Sequence, residues 1–224
     1  MTPDPLEIHR IVSMPYDENT YVVSLSGRDD CVVIDPGLQP EKILSYLDQK
    51  GLTPSAILCT HGHSDHIGGN AALKERWPES PIVIGRGDAA KLTDPVLNLS
   101  AVFDLAITSP PADVLLDEGA TYSAAGLDFD VHEAPGHSSG HIVFLWRQSD
   151  APIHVFGGDV LFRGSIGRTD FPDGSFEQLK DAIHGKLFLL PDDTLVLPGH
   201  GEPTTVGLEK QTNLWVGAPA GYEL

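Results

Sequence analysis

Four short apolar runs in this sequence each lead, within a few residues, to a histidine or an aspartate. The runs are residues 56–59, 127–131, 153–156 and 195–197. The first leads into His61-Gly62-His63-Ser64-Asp65-His66, and the others lead to His137, Asp159 and His200, each directly after a glycine. Strand ends that face one edge of a sheet are where α/β folds build their sites. The pattern therefore predicts a fold that brings four distant segments to one edge.

The side chains in these segments are candidate metal ligands. Imidazole nitrogen and carboxylate oxygen are the donors that zinc and similar divalent ions prefer. A catalytic zinc takes three protein ligands and keeps a position for water, so two ions that share one carboxylate need about seven protein ligands. The candidates are His61, His63, Asp65, His66, His137, Asp159 and His200. We therefore expect two divalent ions, with zinc favoured and iron or manganese as alternatives.

A purely structural zinc is the alternative interpretation of this cluster, and it is disfavoured. Such sites are four-coordinate and rich in cysteine. The two cysteines, Cys31 and Cys59, both lie inside apolar runs, so we interpret them as buried strand residues. A disulfide between them is not expected in a reducing compartment.

Composition limits the partners and the cellular location. The 224 residues carry a formal charge of −18, from 14 basic and 32 acidic side chains, which opposes binding to nucleic acid or to anionic lipid. No run of about 18 apolar residues indicates a membrane span. Because the N-terminus lacks the pattern of a signal peptide, we expect a cytoplasmic protein. No linker or repeat divides the chain, so we predict one domain over residues 1–224.

Short β-branched runs alternate with segments of helical spacing. The predicted strands are residues 8–12, 20–25, 31–34, 56–59, 81–84, 114–116, 127–131, 142–146, 153–156 and 195–197. The predicted helices are residues 40–50, 69–77 and 175–184. Residues 93–111 hold three prolines and weak periodicity, which indicates an irregular connection that is either a binding loop or a plain surface loop. This alternation predicts a layered α/β architecture, and hairpin-like strand pairs such as the one over residues 20–34 predict mixed sheets.

The order of these motifs resembles the metallo-β-lactamase superfamily. The resemblance runs from about Asn19 to His200 and rests on the hexapeptide at 61–66, Pro135-Gly136-His137, Gly158-Asp159 and Pro198-Gly199-His200. It implies a four-layer αββα sandwich with the metals at one edge. It also implies that one ion is bound by His61, His63 and His137, that the other is bound by Asp65, His66 and His200, and that Asp159 bridges the two.

Within the superfamily, residues 161–171 and 97–100 resemble glyoxalase II and its relatives, the persulfide dioxygenases. The resemblance implies hydrolysis of a small-molecule thioester, S-2-hydroxyacylglutathione, by a hydroxide that bridges the metals and is oriented by the catalytic residue Asp65. It makes Arg168 the candidate substrate-binding residue. The alternative for Arg168 is a structural pair with Asp170 or with a loop carbonyl. The helical C-terminal domain of the longer glyoxalase II enzymes has no counterpart after His200, which implies the short form.

Three other functions compete with thioester hydrolysis by two ions. The first is a persulfide dioxygenase with one ferrous ion on His61, His137 and Asp159, or with His63 in place of one of these. The second is a metallo-hydrolase of another ester or thioester. The third is a metal-holding domain without turnover, which the complete ligand set disfavours.

Two further polar residues near the motifs are interpreted as supporting residues. His141 follows His137 by four residues, but both ligand sets are already complete, so we expect it to pack beside the site. Asp35 precedes Pro36-Gly37, and we interpret it as a turn carboxylate in preference to a partner of a metal ligand.

Overall fold

Two six-stranded sheets form the centre of the protein, which is described by a computed structural model over residues 5–149 and 151–223. The first sheet contains β1 (Leu6–Ser13), β2 (Glu18–Leu25), β3 (Asp30–Ile34), β4 (Thr53–Cys59), β5 (Ile82–Gly85) and β6 (Val114–Leu116), in that spatial order. β1, β2 and β3 pair antiparallel, whereas β3 to β6 pair parallel. The sheet is therefore mixed, as the hairpin-like runs near the N-terminus predicted.

The second sheet is built mainly from the C-terminal half of the chain. It contains β7 (Thr121–Ala124), β8 (Leu127–Glu133), β9 (Ile142–Trp146), β10 (His154–Gly158), β13 (Leu195–Pro198) and β14 (Thr204–Thr205). Its spatial order is β14-β13-β10-β9-β8-β7, with one parallel pair between β10 and β13. A small hairpin of β11 (Leu161–Phe162) and β12 (Ser165–Ile166) follows β10.

Helices cover the outer face of each sheet. The α-helices are α1 (Pro40–Lys50), α2 (Ser64–Ile67), α3 (Asn70–Arg76), α4 (Phe176–Ala182) and α5 (Val206–Thr212). Short 3-10 helices occupy Arg86–Leu92, Ser100–Phe103 and Ala218–Ala220, and a π-helical turn occupies Ile183–Leu187. Ile43 of α1 packs on the first sheet and Leu179 of α4 packs on the second.

Alternation along the strands creates three apolar layers, because successive side chains of a strand point to opposite faces. In β4, Leu58 faces Phe156 in the core between the two sheets, whereas Ile57 faces the helices. Cys31 and Cys59 lie on the helix-facing side, fully buried and unbonded to each other, which confirms their interpretation as strand residues. The four layers confirm the predicted αββα sandwich.

The strand directions bring the predicted site segments to one edge. β8 and β10 both run antiparallel to β9, and β13 runs parallel to β10, so the carboxyl ends of β8, β10 and β13 share an edge. The two sheets are joined at this edge. The Asn19 backbone N–H donates to the Gly199 carbonyl at 2.7 Å, and the Tyr21 hydroxyl donates to the Pro198 carbonyl at 2.8 Å.

Every predicted strand and helix has a counterpart, with differences at the ends. The helix predicted at residues 69–77 is α3, and the one predicted at residues 175–184 ends in the π-helical turn. The strands and α-helices that were missed are β7, β11, β12, β14, α2 and α5. These are short, and β7 alternates exposed with half-buried positions at a sheet edge, so it lacks an apolar run. Residues 93–111 form an irregular connection apart from one 3-10 turn, as predicted. No helix in the described ranges has the length and apolar character to cross a bilayer.

Glu118 joins three segments of the second half of the chain, and it gives a prediction for acid stability. Its carboxylate accepts hydrogen bonds from the Glu133 backbone N–H at 2.6 Å and from Lys186 Nζ at 2.7 Å, and it contacts His132 Nδ1 at 2.9 Å. Partial burial raises the pKa of Glu118, but these donors outweigh it and lower the pKa to about 2. The folded state therefore gains stability above the unfolded pKa of about 4.5 and loses it as the pH falls through about 2.

We expect Glu118→Gln to lower the free energy of unfolding at pH 7 by about 1 kcal/mol or less, because the partly exposed group is screened by solvent. The difference from wild type should shrink between pH 4.5 and pH 2, the two pKa values that bound the effect. Urea denaturation at pH 7 and pH 3 measures it. A difference that grew on acidification would contradict the assigned direction.

Candidate metal centre

Three histidine nitrogens from both halves of the chain meet at the shared edge. His61 Nε2 lies 3.1 Å from His63 Nδ1, which lies 2.9 Å from His137 Nε2. Tetrahedral zinc with nitrogen ligands at 2.0–2.1 Å requires ligand atoms about 3.3 Å apart. The separations are those of a tripod around a small cation, and we call these side chains the three-histidine half of the site.

A second group of side chains lies beside the first. His66 Nε2 lies 3.2 Å from His200 Nε2, and Asp65 Oδ2 lies 3.4 Å from His200 Nε2 and 3.7 Å from His66 Nε2. We call Asp65, His66 and His200 the aspartate half of the site. Since Asp65 and His66 stand on α2 and His200 follows β13, this half also draws on both sheets.

The Asp159 carboxylate lies between the two halves. Its Oδ2 atom is 3.3 Å from His137 Nε2 and 3.5 Å from His200 Nε2, and its Oδ1 atom is 3.4 Å from His66 Nε2. Asp159 Oδ1 and His63 Nε2 are buried without a hydrogen-bond partner in the described part of the chain. A buried carboxylate oxygen without a donor is costly unless a cation satisfies it. The donor set and the spacing therefore fit divalent metal ions.

Backbone carbonyls fix the orientation of two imidazoles. His137 Nδ1 donates to the Arg168 carbonyl at 2.9 Å, and His200 Nδ1 donates to the Tyr16 carbonyl at 2.9 Å. Donation from Nδ1 leaves the lone pair of Nε2 directed into the centre. Such partners hold metal-binding histidines in the correct tautomer.

Asp35 has the same role for His66, so its interpretation as a plain turn carboxylate is wrong. It directly follows β3, with a left-handed φ of 48°, and is buried. Its carboxylate accepts from the Thr60 backbone N–H and from Thr60 Oγ1, both at 2.7 Å, and lies 3.2 Å from His66 Nδ1. Thr60 Oγ1 also lies 3.1 Å from His61 Nδ1. The carboxylate therefore supports one histidine of each half.

Burial keeps the three-histidine half uncharged. Burial lowers the pKa of His61 and of His63 well below the usual range, and the neighbouring imidazoles lower both further. Burial also lowers the pKa of His137, although Asp159 opposes it. These imidazoles are neutral near pH 7, which is the form that binds a metal.

In the aspartate half, the carboxylates and the imidazoles shift one another's pKa towards the charged forms. Burial alone would raise the pKa of Asp65, but His66 and His200 outweigh it and hold the pKa below its usual range. Burial would lower the pKa of His66, but Asp159 and Asp65 hold it well above the usual range. The carboxylates thus concentrate negative charge where a cation would bind.

An open cleft of about 600 Å³ leads to the centre. Its walls are apolar and include Leu99, Phe103, Phe162, Ile166 and Phe171. Asp65, His63, His137, Asp159 and His200 line its floor. A small organic substrate can therefore reach the metal-facing side chains. The connection at residues 93–111 supplies part of the lining, through Asn98, Leu99, Val102 and Phe103.

Arg168, the candidate substrate-binding residue, lines the cleft. Its guanidinium forms a bidentate pair with Asp170 at 2.9 and 2.8 Å and lies 4.6 Å from the centre of the Phe171 ring. Both partners of the pair are about two-thirds exposed, at 68% and 67%. The structure thus shows the pair with Asp170 and also leaves the guanidinium accessible from the cleft.

His141 packs beside the centre, as interpreted. Its ring stacks on His61 with centroids 4.7 Å apart, and its Nε2 accepts the Asp159 backbone N–H at 3.1 Å. The aromatic cleft residues were not predicted individually. Asp35 was missed because its place depends on strand pairing: it follows a strand that pairs in parallel with β4 and so ends at the same edge.

The metallo-beta-lactamase superfamily model matches residues 14–200, so the chain belongs to this superfamily. A probable metallo-hydrolase of Bacillus subtilis, YqgX, is 39% identical over 200 residues, which cover 89% of this chain and 92% of the relative. The hydroxyacylglutathione hydrolase GloC of Haemophilus influenzae is 35% identical over 191 residues, covering 82% and 86%.

Solved structures share the whole architecture. The B3 metallo-beta-lactamase BLEG-1 superposes with a TM-score of 0.88 at 36% identity and covers 94% of this chain and 99% of its own. TTHA1623 in a di-iron-bound form has a TM-score of 0.78 at 39% identity, covering 92% and 98%. ETHE1 from Myxococcus xanthus has a TM-score of 0.78 at 30% identity, covering 95% and 85%.

Proposed function

We propose that this protein hydrolyses a small-molecule thioester, S-2-hydroxyacylglutathione first among the candidates, with two divalent metal ions. The observation that carries the proposal is the Asp159 carboxylate between two sets of ligands at the floor of an open cleft. The similarity to GloC supports the choice of substrate. Zinc is the first expectation, and the di-iron form of TTHA1623 supports iron as the alternative.

The ligand assignment follows the two halves of the site. His61, His63 and His137 would hold one ion, Asp65, His66 and His200 the other, and Asp159 would contact both. When bound, the ions supply Lewis acidity and lower the pKa of a bound water to about 7. Asp65 is ionised at neutral pH and lines the cleft, so it can accept a hydrogen bond from the attacking water and orient it.

The leaving group explains why a thioester suits this cleft. A thiol has a pKa of about 8.5, so a thiolate departs with little need for protonation. An amine is far more basic and needs a proton donor at the cleft. Apart from the histidines, the cationic side chain of the cleft lining in the described residues is Arg168, which does not give up its proton.

Hydrolysis of S-lactoylglutathione tests the proposal directly. The protein is loaded with zinc or with iron, the metal content is measured, and the release of glutathione is compared with that of chelated protein. We expect turnover that depends on the metal and exceeds the hydrolysis of a β-lactam in the same preparation. A loaded protein that released no glutathione above the chelated control would reject the thioester.

A persulfide dioxygenase with one ferrous ion is the second candidate. The observation in its favour is that His63, His137 and Asp159 present two imidazoles and a carboxylate around one point, the set that open iron sites for oxygen chemistry use. Oxygen uptake with glutathione persulfide and one iron per chain would support it. Two ions per chain and no oxygen uptake would exclude it.

Arg168→Ala tests the proposed substrate anchor. We expect KM for S-lactoylglutathione to rise about threefold to fivefold, because an exposed ion pair contributes about 1 kcal/mol or less. We expect kcat to stay unchanged, because the guanidinium does not contact the metal-facing side chains. The matched control is Arg147→Ala, which removes an exposed arginine paired with Asp130 away from the cleft lining. Equal KM values for the two variants would remove Arg168 from the substrate-binding site.

A further inference from the structure

A buried pair of charges, Asp88 and Lys91, lies next to the three-histidine half of the site. Both stand on the 3-10 helix Arg86–Leu92, and their exposed fractions are 0% and 6%. Neither is a candidate ligand, and neither lines the cleft. Aspartate and lysine are almost never fully buried unless paired, and their burial is costly. Other interactions must therefore offset the cost of burying this pair.

Asp88 hydrogen-bonds both segments that carry the three histidines. Its Oδ2 atom accepts the Gly62 backbone N–H at 2.9 Å, and its Oδ1 atom accepts the Gly140 backbone N–H at 2.8 Å. The Ser138 hydroxyl also donates to Oδ2. Gly62 lies between His61 and His63, and Ser138 directly follows His137. One carboxylate thus fixes the backbone next to all three histidines of this half.

Lys91 balances the charge and extends the contacts. Its Nζ atom lies 3.2 Å from Asp88 Oδ1, contacts Ser138 Oγ, and donates to Asp173 Oδ2 at 2.6 Å. Asp173 in turn accepts the Ser139 backbone N–H at 3.0 Å. The lysine is therefore held between two carboxylates that both bind the segment after His137.

Glycines allow this close approach. A Cβ atom at Gly62 would lie 2.5 Å from Lys91 Cβ, and one at Gly140 would overlap the Asp88 backbone nitrogen and lie 2.6 Å from Gly87 Cα. The backbone of the 3-10 helix therefore touches both ligand segments, with no room for a side chain between them. Such packing transmits a displacement of Asp88 directly to the histidines.

The aspartate half is supported by different groups. His66 contacts Asp35, and His200 contacts the Tyr16 carbonyl. All polar contacts of Asp88 within the described ranges go to Lys91 or to the segments of the three-histidine half. Asp35 also reaches His61 through Thr60, so the two halves share this one support, whereas the Asp88 contacts serve the three-histidine half.

We propose that Asp88, with Lys91, is a positioning residue that sets the metal affinity of the three-histidine half more strongly than that of the aspartate half. The proposal rests on the proposed metal centre, but not on the identity of the substrate. In the free protein this pair holds His61, His63 and His137 at ligand spacing. Its loss relaxes that spacing while the aspartate half keeps its own supports.

Asp88→Asn is the principal test. The amide keeps the size of the side chain, but its NH₂ group faces a donor where a carboxylate oxygen accepted one. We expect the affinity of the three-histidine half for Co²⁺ to fall about tenfold to a hundredfold, the usual cost of losing an outer partner of a metal ligand. Titration followed by visible absorption measures it. The titration is repeated in a His200→Ala background, in which the three-histidine half is the main remaining site.

The matched control is Asp117→Asn, which removes an exposed carboxylate paired with Arg86 at the start of the same 3-10 helix. We expect wild-type Co²⁺ binding from it. Ser138→Ala serves as a milder second variant, with an expected loss of a few-fold, and keeps the test decisive if Asp88→Asn does not fold. Circular dichroism checks the fold of each variant.

Equal Co²⁺ affinity of wild type, folded Asp88→Asn and Ser138→Ala would overturn the proposal, as would an equal loss of both ions from a folded variant. A different result would reject the proposed function. A wild-type protein that binds two ions but releases no glutathione from S-lactoylglutathione would reject the thioester, whereas a selective loss in Asp88→Asn would still establish the positioning role.

Discussion

Asp159→Ala should reduce hydrolysis by more than about a hundredfold and lower the metal content to one ion per chain or less. The reason is that this carboxylate is within 3.5 Å of His137, His200 and His66, so its removal takes a donor from both halves at once. Loss of a residue that only hydrogen-bonds a metal ligand lowers metal affinity or activity by at most about a hundredfold. Loss of a ligand shared by both ions should lower them further. Elemental analysis and initial rates measure the two effects.

Two control variants separate this effect from simple disturbance of the fold. Asp130→Ala removes an exposed aspartate that pairs with Arg147 and should leave both quantities unchanged. His141→Ala removes a ring that stacks on His61 and should retain most of the metal and the activity. If His141→Ala and Asp159→Ala had equal effects, the assignment of Asp159 as the shared ligand would be wrong.

Gly199→Ala should be nearly as severe, although it removes no functional group. A Cβ atom at this position would overlap Asp159 Oδ1 and lie 2.6 Å from His66 Cε1. The new methyl group must displace the shared carboxylate, the histidine or the chain end of β13. We expect loss of at least one ion and a fall in activity of more than about a hundredfold, together with destabilisation of about 1–3 kcal/mol from overpacking.

Gly185→Ala is the matched control for that substitution. A Cβ atom there meets nothing within 4 Å, so the added methyl group enters open space. We expect unchanged metal content and equal or slightly higher stability, because alanine restricts the unfolded chain. The two variants should therefore differ in free energy of unfolding, measured by urea denaturation, and in metal content, measured by elemental analysis. Wild-type metal content in Gly199→Ala would contradict this expectation, because it would show that the side chains around position 199 can move aside without loss of an ion.

The layered fold and the meeting of the ligand segments follow from local sequence. Apolar runs such as residues 153–156 are short and end at glycine, so strand, turn and ligand can all be identified without knowledge of contacts. The edge strand β7 could not be identified in this way, because its exposed alternate positions carry no apolar signal. The same holds for α5, whose buried residues are Val206, Gly207 and Glu209 and so form no apolar stripe.

The supports of the site could not be predicted, because they depend on contacts distant in the chain. Asp88 lies 26 residues from Gly62 and 52 from Gly140, and nothing in the sequence around it distinguishes it from a surface aspartate. The sequence around Asp35 indicates a turn, and only the parallel pairing of β3 with β4 brings its carboxylate to His66. Spacing along the chain identifies candidate ligands, whereas the groups that hold them are set by the packing of the two sheets.

The division of each ligand set between the two sheets has a consequence for the lifetime of the protein. His61 and His66 follow a strand of one sheet, while His137 and His200 follow strands of the other, so an ion bound by either set ties the two halves of the sandwich together. Ligands that bind only the native state stabilise it by mass action. Melting temperature and resistance to proteolysis should therefore rise with the concentration of free metal, and a cell depleted of that metal would lose the protein itself as well as its activity.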